Sequence, residues 1–303
     1  MKIGAVLPFT EIGTDPVIIR DYAQAIEGLG YDHIVVADHV LGANPKTHEL
    51  WGPYTDKSMF HEPFVFMGFL AAITETIELA TGIVIAPQRQ TALLAKQAAE
   101  VDVLSGGRLR LGLGVGWNQV EYEALGEDFT TRGKKMDEQM ELLRALWAND
   151  LVTFEGEWDK ITDAGINPLP VQQPLPIWLG GWADPMIKRI AQKSDGWFAF
   201  FKPDDEGKEM LGKLHQYADE AGRDIAEIGI EAWVTVNNSQ VLSGVNQRPE
   251  DTLLRSPDEW CEEIAAWKAL GATHLSCWTM YSNLSVDEHI DVARRFKEAV
   301  DGM

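Results

Sequence analysis

Two neighbouring residues, Asp38 and His39, carry side chains that could move a proton. They stand in the run VVADHV, at the end of a short apolar stretch. An imidazole gains or loses its proton near neutral pH, so His39 could act as a general acid or base. Neighbours on a strand point to opposite faces, whereas in a loop both side chains can reach one cleft. A histidine with purely structural partners is the alternative, and the pair alone leaves it open.

A run of alternating glycines forms the second candidate. In RLRLGLGVGWNQ, Gly112, Gly114 and Gly116 precede Trp117 and Asn118. A dinucleotide fingerprint needs G-x-G-x-x-G after the first strand, with an acidic residue about 20 positions later. The spacing here is G-x-G-x-G after the fourth predicted strand, so that fingerprint is not met. The glycines either clear space for a bound ring or let parts of the chain pack closely.

The run PIWLGGWADP contains a third candidate. An apolar stretch leads into Gly180, Gly181 and Trp182, and a helix is predicted to begin near Asp184 and Pro185. Exposed backbone amides at a helix N-terminus bind anions, and late βα turns of a barrel often hold phosphate. A tight turn without a ligand is the alternative.

The chain is rich in tryptophan, with eleven residues. Indole rings near a site could stack on a planar cofactor or substrate. Those that fall at or near the ends of predicted strands are Trp51, Trp117, Trp178, Trp182, Trp197, Trp233 and Trp278. Trp147, Trp260 and Trp267 lie on predicted helices and are expected in the core.

Strand-like and helix-like stretches alternate along the chain. Apolar runs predict strands at residues 2–7, 33–37, 77–85, 109–113, 176–179, 196–200, 228–236 and 274–278. Helical periodicity predicts helices at residues 16–29, 63–74, 91–104, 132–147, 185–193, 203–221, 257–270 and 286–300. VTFEGEWDKI predicts a short hairpin within residues 151–161, and residues 237–248 read as a polar inserted loop.

This alternation predicts an α/β protein with a parallel sheet. Eight such units in one chain favour a (β/α)₈ TIM barrel formed by a single domain over residues 1–303, with a doubly wound sheet as the alternative. Barrel enzymes place their active sites at the carboxyl ends of the strands. The three candidate segments all follow predicted strands and are therefore expected at one end of the barrel.

The amino-acid composition limits which molecules the protein is expected to bind. The 303 residues carry 47 acidic and 26 basic side chains, a net charge of −21, so nucleic acid and anionic membranes are not expected to bind. There is no 18-residue apolar run, and two cysteines without CxxC spacing suit a reducing cytoplasm. No metal site is expected, because neither HxH nor HExxH spacing occurs among His33, Asp38, His39, His48, His61 and Glu62.

Four motifs taken together resemble a known superfamily. DVLSGGRLRLGLGVGW, RGKKMDEQMELLRALW, VTFEGEW and PLPIWLGG are similar to the luciferase-like flavin monooxygenases and deazaflavin oxidoreductases. The chain looks most similar to the branch of coenzyme F420-dependent oxidoreductases. The resemblance implies a (β/α)₈ barrel, a homodimer, and hydride transfer between coenzyme F420 and a small organic substrate.

Other functions remain open at this point. An FMN-dependent monooxygenase that uses reduced flavin and oxygen is the close alternative. A non-catalytic flavin-binding protein and a metal-dependent hydrolase on the same barrel are alternatives of other classes.

The resemblance also implies residue roles. Asp38 and His39 match a pair beside the cofactor ring, with the histidine moving a proton or stabilising charge on the substrate. Thr81, Gly82 and Ile83 match a strand end whose non-proline cis peptide backs the ring.

Further cofactor contacts are implied at the later strand ends. Gly114, Gly116, Trp117 and Asn118 match the fourth-strand mouth, and the implied phosphate turn is Gly180, Gly181 and Trp182. Some deazaflavin enzymes carry a catalytic glutamate where this chain has Trp117; Glu121 is nearby in sequence, but the sequence does not show that it takes that role. Candidates to bind the anionic cofactor tail are Arg89, Lys46, Lys57 and Lys202.

Overall fold

Parallel strands close into a barrel that carries helices on its outside. The computed structural model describes residues 1–50, 52–238 and 253–303. Trp51 and residues 239–248 of the predicted polar loop lie outside the described residues. Within the described ranges, no helix is both long and apolar enough to cross a membrane.

The strands are β1 Lys2–Val6, β2 His33–Val36, β3 Glu78–Thr81, β4 Val84–Ile85, β5 Leu109–Gly114, β6 Val152–Glu155, β7 Lys160–Ala164, β8 Ile177–Gly180, β9 Gly196–Ala199, β10 Gly229–Thr235 and β11 His274–Trp278. The helices are α1 Pro16–Gly28, α2 Pro63–Ile73, α3 Thr91–Ser105, α4 Gln119–Ala124, α5 Arg132–Ala148, α6 Asp184–Lys193, α7 Asp205–Glu220, α8 Pro257–Ala269 and α9 Val286–Asp301. Each predicted strand and helix is present, with ends that differ by a few residues.

The order of the strands confirms the barrel. The sheet runs β3-β2-β1-β11-β10-β9-β8-β5-β4, and an additional pairing of β3 with β5 closes it. All of these pairs are parallel, and β3 and β4 together occupy one barrel position. The predicted hairpin is present as the antiparallel pair β6–β7 outside the barrel.

The strand sequences explain the closed sheet. In β5 (LRLGLG) and β8 (IWLG) every residue is buried, as expected for parallel strands with side chains inside the barrel and helices outside. Local signals also set the helix starts. Capping boxes at Ser256 and Ser285 begin α8 and α9, and each cap of this kind contributes about 1 kcal/mol.

Two local features differ from the sequence prediction. The strand predicted from the apolar run at residues 77–85 is divided into β3 and β4 by a cis peptide between Gly82 and Ile83, the bond that the resemblance implied at this strand end. The short helix α4 was not predicted; the side chain of Asn118 caps it by accepting from the amide of Val120.

Charged side chains fill the amino-terminal part of the barrel interior. Buried Arg110 donates to Glu231, whose other oxygen contacts His33 and Ser276. Burial opposes ionisation of Glu231, but the charges of Arg110 and His33 hold its pKa well below the usual range. This layer fills the barrel beneath its carboxyl end and leaves that end for a ligand.

Candidate active site

Four strand ends deliver the predicted site residues to the carboxyl end of the barrel. Residues 38–39 follow β2, residues 81–83 end β3, residues 114–118 follow β5, and residues 180–182 follow β8. Because the strands are parallel and paired in one closed sheet, these segments meet at one mouth.

Asp38 and His39 are adjacent in sequence, but their side chains contact different partners. Asp38 is buried; its Oδ1 accepts from Arg89 Nη2 at 2.9 Å and its Oδ2 from the amide of Ile85 at 3.2 Å. Burial raises the pKa of Asp38, and the Arg89 cation offsets part of that rise. Asp38 therefore anchors the segment that follows the cis peptide.

Arg89 is already neutralised by two carboxylates. Besides Asp38, it donates through Nη1 to Glu62 Oε1 at 3.0 Å. Burial of the guanidinium acts to lower its pKa, and the carboxylates of Asp38 and Glu62 raise it above the usual value. Lys46, Lys57 and Lys202 are exposed on loops that follow β2 and β9.

His39 turns instead to Glu121, which lies 82 positions away in sequence. The imidazole Nδ1 is 3.1 Å from Glu121 Oε2 and 3.2 Å from Oε1. Oε1 also accepts from the amides of Val40 at 2.8 Å and Leu41 at 3.2 Å. Glu121 thus fixes both the imidazole and the loop that carries it.

Sequence reasoning missed this role of Glu121. The spacing of Asn118 and Glu121 is the N-x-x-E pattern of a helix start and could have revealed α4. It could not have revealed the contact with His39, which depends on the closed barrel.

Aromatic rings enclose the rest of the imidazole. The ring centroid of His39 lies 4.7 Å from that of Phe60, 5.2 Å from Tyr54 and 5.6 Å from Trp117. The His39 side chain keeps 10% of its surface exposed. Since Nδ1 is engaged by Glu121, Nε2 is the nitrogen left for a ligand, and it has no hydrogen-bond partner within the described chain.

The alternating glycines make room for two isoleucines. A Cβ on Gly114 would collide with Ile83, and a Cβ on Gly180 would lie 2.9 Å from Ile83 Cδ1. Gly116 has a φ of +66°, and its missing Cβ leaves space for Ile85. The nearest neighbours of these glycines are therefore side chains of the chain itself, as in the packing interpretation.

Thr81 and Asn118 use their polar atoms within the protein. The Thr81 hydroxyl donates to the carbonyl of Gly112 at 2.8 Å and accepts from its amide at 2.7 Å, which links β3 to β5. Asn118 donates to the carbonyl of Leu41 at 3.2 Å. Both residues therefore support the backbone around the mouth through hydrogen bonds within the protein.

The turn after β8 presents an open helix start. Gly181 has a φ of +128°, and its carbonyl accepts from Trp197 Nε1 at 2.8 Å. No side chain among the described residues caps α6, and the carboxylate of Asp184 accepts from the Tyr217 hydroxyl at 2.9 Å. Trp182 beside this turn is 52% exposed. Backbone amides at such a start can bind an anionic group.

Three aromatic side chains form a floor at the carboxyl end of the barrel interior. The Trp233 ring lies 4.5 Å from Phe200 and 5.0 Å from Trp278, in both cases edge to face. Its Cζ2 atom is 3.0 Å from the position of a Cβ on Gly82, so the floor adjoins the cis peptide. Both indole Nε1 donors, of Trp233 and Trp278, are buried without an acceptor among the described residues.

Two of the tryptophans expected near the mouth lie elsewhere. Trp178 stacks on Arg110 inside the barrel, with 4.3 Å between the guanidinium carbon and the ring centroid. Trp197 is fully buried against Phe201, and it reaches the turn after β8 only through its hydrogen bond to the carbonyl of Gly181. The helical tryptophans Trp147, Trp260 and Trp267 are buried in the core as expected.

The described residues contain no group of three or more histidine, cysteine or acidic side chains that could hold a metal ion. A cavity of about 300 Å³ lies beside Trp117, between the loop at His48 and helix α4. The mouth therefore offers an imidazole, aromatic surfaces and backbone amides as its chemical groups.

Comparisons with known proteins agree with this architecture. An uncharacterised protein of Mycobacterium tuberculosis is 33% identical over 223 residues, which is 71% of this chain and 76% of that protein. Pyrimidine monooxygenase RutA of Acinetobacter baylyi is 29% identical over 251 residues, 75% of this chain and 65% of RutA. An F420-dependent secondary alcohol dehydrogenase, solved with an F420-acetone adduct, has the same fold, with a TM-score of 0.78 at 20% identity over 99% of this chain and 98% of that one.

The family model for luciferase-like monooxygenases matches residues 1–240. The chain therefore belongs to the luciferase-like monooxygenase family, within a superfamily of oxidoreductases and monooxygenases.

Proposed function

We propose that this protein is an oxidoreductase that transfers a hydride between coenzyme F420 and a small organic substrate. The observation that carries the proposal is His39, whose Nδ1 is held by Glu121 and whose Nε2 is left for a ligand in an aromatic mouth. Similarity in fold to an F420-dependent secondary alcohol dehydrogenase supports the choice of cofactor.

The mouth fits a planar ring that carries an anionic chain. The floor of Trp233, Trp278 and Phe200 offers flat apolar surface, and its two unpaired indole N–H groups match acceptor atoms of a ligand. The uncapped start of α6 fits an anionic group on the side chain of the cofactor. The exposed lysines Lys46, Lys57 and Lys202 remain as candidates to bind negative charges further along the cofactor tail. Arg89 is less suited to that role, because carboxylates of the protein already neutralise it.

Proton transfer falls to His39. When bound, the deazaflavin supplies or accepts the hydride. Oxidation of an alcohol to a ketone releases one hydride from carbon and one proton from oxygen, and Nε2 of His39 takes that proton. In the reverse direction Nε2 returns it to the ketone oxygen. The rings of Phe60, Tyr54 and Trp117 lie around the imidazole and limit the access of water to it.

An FMN-dependent monooxygenase is the second candidate. The similarity to pyrimidine monooxygenase RutA favours it, because that relative is a monooxygenase by name and matches 75% of this chain. The same mouth fits the flavin ring, so the cofactor must be decided by binding.

The cofactor is tested by titrating the purified protein with coenzyme F420 and, separately, with FMN, while the fluorescence of each is followed. Tight binding of F420 with weak binding of FMN is the expected result. Preference for FMN would overturn the deazaflavin proposal, and oxygen consumption with reduced FMN would then test monooxygenation. Binding of neither cofactor would overturn both candidates.

The role of His39 is tested with F420 and a series of small secondary alcohols. His39→Asn is expected to lower kcat by about 10²–10⁴-fold, the usual contribution of general acid–base catalysis, and to retain cofactor affinity. His215→Asn, an exposed histidine on α7, is the matched control. Cofactor binding without any turnover would favour a non-catalytic flavin-binding protein.

We also propose that the protein is a homodimer that pairs through α2 and α3. Val65 in the first turn of α2 is 75% exposed, and Leu93 in the first turn of α3 is 52% exposed. Large apolar side chains on neighbouring helices favour burial against a second copy.

A further inference from the structure

We infer that Glu121 is a positioning residue that fixes the proton of His39 on Nδ1 and so presents Nε2 to the substrate as a proton acceptor. The part of this inference that concerns turnover rests on the proposed function. The part that concerns the tautomer depends only on the protein.

The hydrogen bonds of Glu121 hold its carboxylate in one orientation. Oε1 accepts from the amides of Val40 and Leu41 at 2.8 and 3.2 Å. Oε2 is thereby turned to His39 Nδ1 at 3.1 Å. The side chain of Glu121 is 1% exposed, so water has little access to compete for these bonds. The same carboxylate thus sets the loop and the imidazole together.

The carboxylate is ionised in this setting. Burial acts to raise the pKa of Glu121, but the hydrogen bond from His39, the charge interaction with its ring and the amides of Leu41 and Val40 together outweigh burial and lower the pKa. An ionised carboxylate can only accept hydrogen bonds.

The tautomer follows from that restriction. In a neutral imidazole one nitrogen carries the proton and the other accepts. Because Glu121 can only accept, Nδ1 must carry the proton, and the lone pair is left on Nε2. When Nε2 takes a proton from a substrate, the adjacent carboxylate stabilises the resulting imidazolium. The other contacts of the ring are with Tyr54, Phe60 and Trp117.

A glutamine at position 121 reverses this pattern with little change in shape. Its carbonyl oxygen would stay on the amides of Val40 and Leu41, which only donate. Its NH₂ group would then face His39 Nδ1. Nδ1 must accept from that group, so the imidazole proton moves to Nε2. A protonated Nε2 can no longer accept a proton from the substrate.

The first test reads the tautomer directly in the cofactor-free protein. Histidine labelled with ¹⁵N is introduced, and imidazole spectra are recorded at rising pH until they no longer change. His39 is assigned by loss of its signals in His39→Gln. We expect the Nδ1–H form in the wild-type protein and in Glu141→Gln, which alters an exposed carboxylate on α5, and the Nε2–H form in Glu121→Gln.

Either of two spectra would overturn the inference: Nε2–H in the wild-type protein, or an unchanged tautomer in Glu121→Gln. The wild-type spectrum alone shows which nitrogen of His39 carries the proton, even if Glu121→Gln fails to fold.

The second test measures turnover with bound coenzyme F420. We expect Glu121→Gln to lower kcat by about 10²–10⁴-fold, as for removal of the general base itself, while the Kd for cofactor stays within about twofold of the wild-type value. Equal kcat for Glu121→Gln and Glu141→Gln would refute the link to catalysis. Failure of the wild-type protein to bind either cofactor would refute the proposed function instead, and the tautomer measurement would still stand.

Discussion

The side chain of Ile83 occupies the space beside Gly114 that a Cβ atom would need. The same side chain lies against Gly180, so the ends of β5 and β8 both lack side chains where Ile83 packs. Ile83 follows the cis peptide next to the aromatic floor. The glycines therefore set the position of Ile83 beside the proposed cofactor site.

Gly114→Ala is expected to push Ile83 out of this space. Overpacking of this kind costs about 1–3 kcal/mol of unfolding free energy. Because Ile83 follows the cis peptide beside the proposed cofactor site, its displacement should lower the affinity for the cofactor as well. Chemical denaturation and fluorescence titration measure the two effects.

Gly212→Ala is the matched control. Gly212 lies within α7, and a Cβ there would meet no atom within 4 Å. Alanine should stabilise this helix by about 0.5–1 kcal/mol and leave cofactor affinity unchanged. Equal stability of the two alanine variants would contradict the role assigned to Gly114.

The barrel could be predicted from the sequence because each strand and helix carries its own local pattern. The buried strand LRLGLG and the proline and serine helix starts are visible in short windows. The cis peptide between Gly82 and Ile83 is not visible in such a window; it was expected only from the resemblance, and the structure confirms it. A continuous strand and a strand divided by a cis peptide can therefore have the same local apolar pattern.

The candidate site was only partly predictable. Asp38 and His39 were expected to reach one cleft from the loop after β2, yet Asp38 contacts Arg89 and His39 contacts Glu121. The second contact spans 82 positions and forms only when the barrel brings the ends of β2 and β5 to one mouth. Local sequence carries no signal for a contact of this range.

His274 makes stability depend on pH in the weakly acidic range. Burial lowers the pKa of His274 to about 3 from a usual value of 6.5. The unfolded chain therefore binds a proton below pH 6.5 that the folded protein does not, so this contribution to stability is present above pH 6.5 and is lost as the pH falls towards 3. The slope from one such proton approaches about 1.4 kcal/mol per pH unit.

His274→Gln removes this titration. Its free energy of unfolding, measured by denaturant titration between pH 7 and 5, should decline less steeply than that of the wild-type protein. Buried carboxylates such as Glu231 titrate at lower pH in the unfolded chain and contribute little in this window. Parallel pH profiles for the two proteins would show that folding does not lower the pKa of His274.

Val65→Asp should separate the proposed dimer. A carboxylate at this 75% exposed position would have to be buried, uncompensated, against the second copy. Light scattering after size exclusion should report a monomer of the 33.7 kDa chain, whereas Leu253→Asp, at a 67% exposed position whose amide contacts Asn238 after β10, should stay dimeric. A wild-type protein that elutes as a monomer would refute the dimer outright.

Trp233→Phe tests whether the floor donates a hydrogen bond to the ligand. The change keeps an aromatic ring beside Phe200 and Trp278 but removes the buried Nε1 donor, which has no acceptor in the described part of the protein. Loss of one such bond, worth about 1 kcal/mol, should raise KM or the cofactor Kd by about fivefold at little cost in stability. Trp267→Phe is the control, because its Nε1 is likewise buried and unpaired but lies on α8 in the core. If both variants bind the cofactor and the substrate as the wild type does, the Trp233 donor faces no ligand and the floor contributes its apolar surface alone.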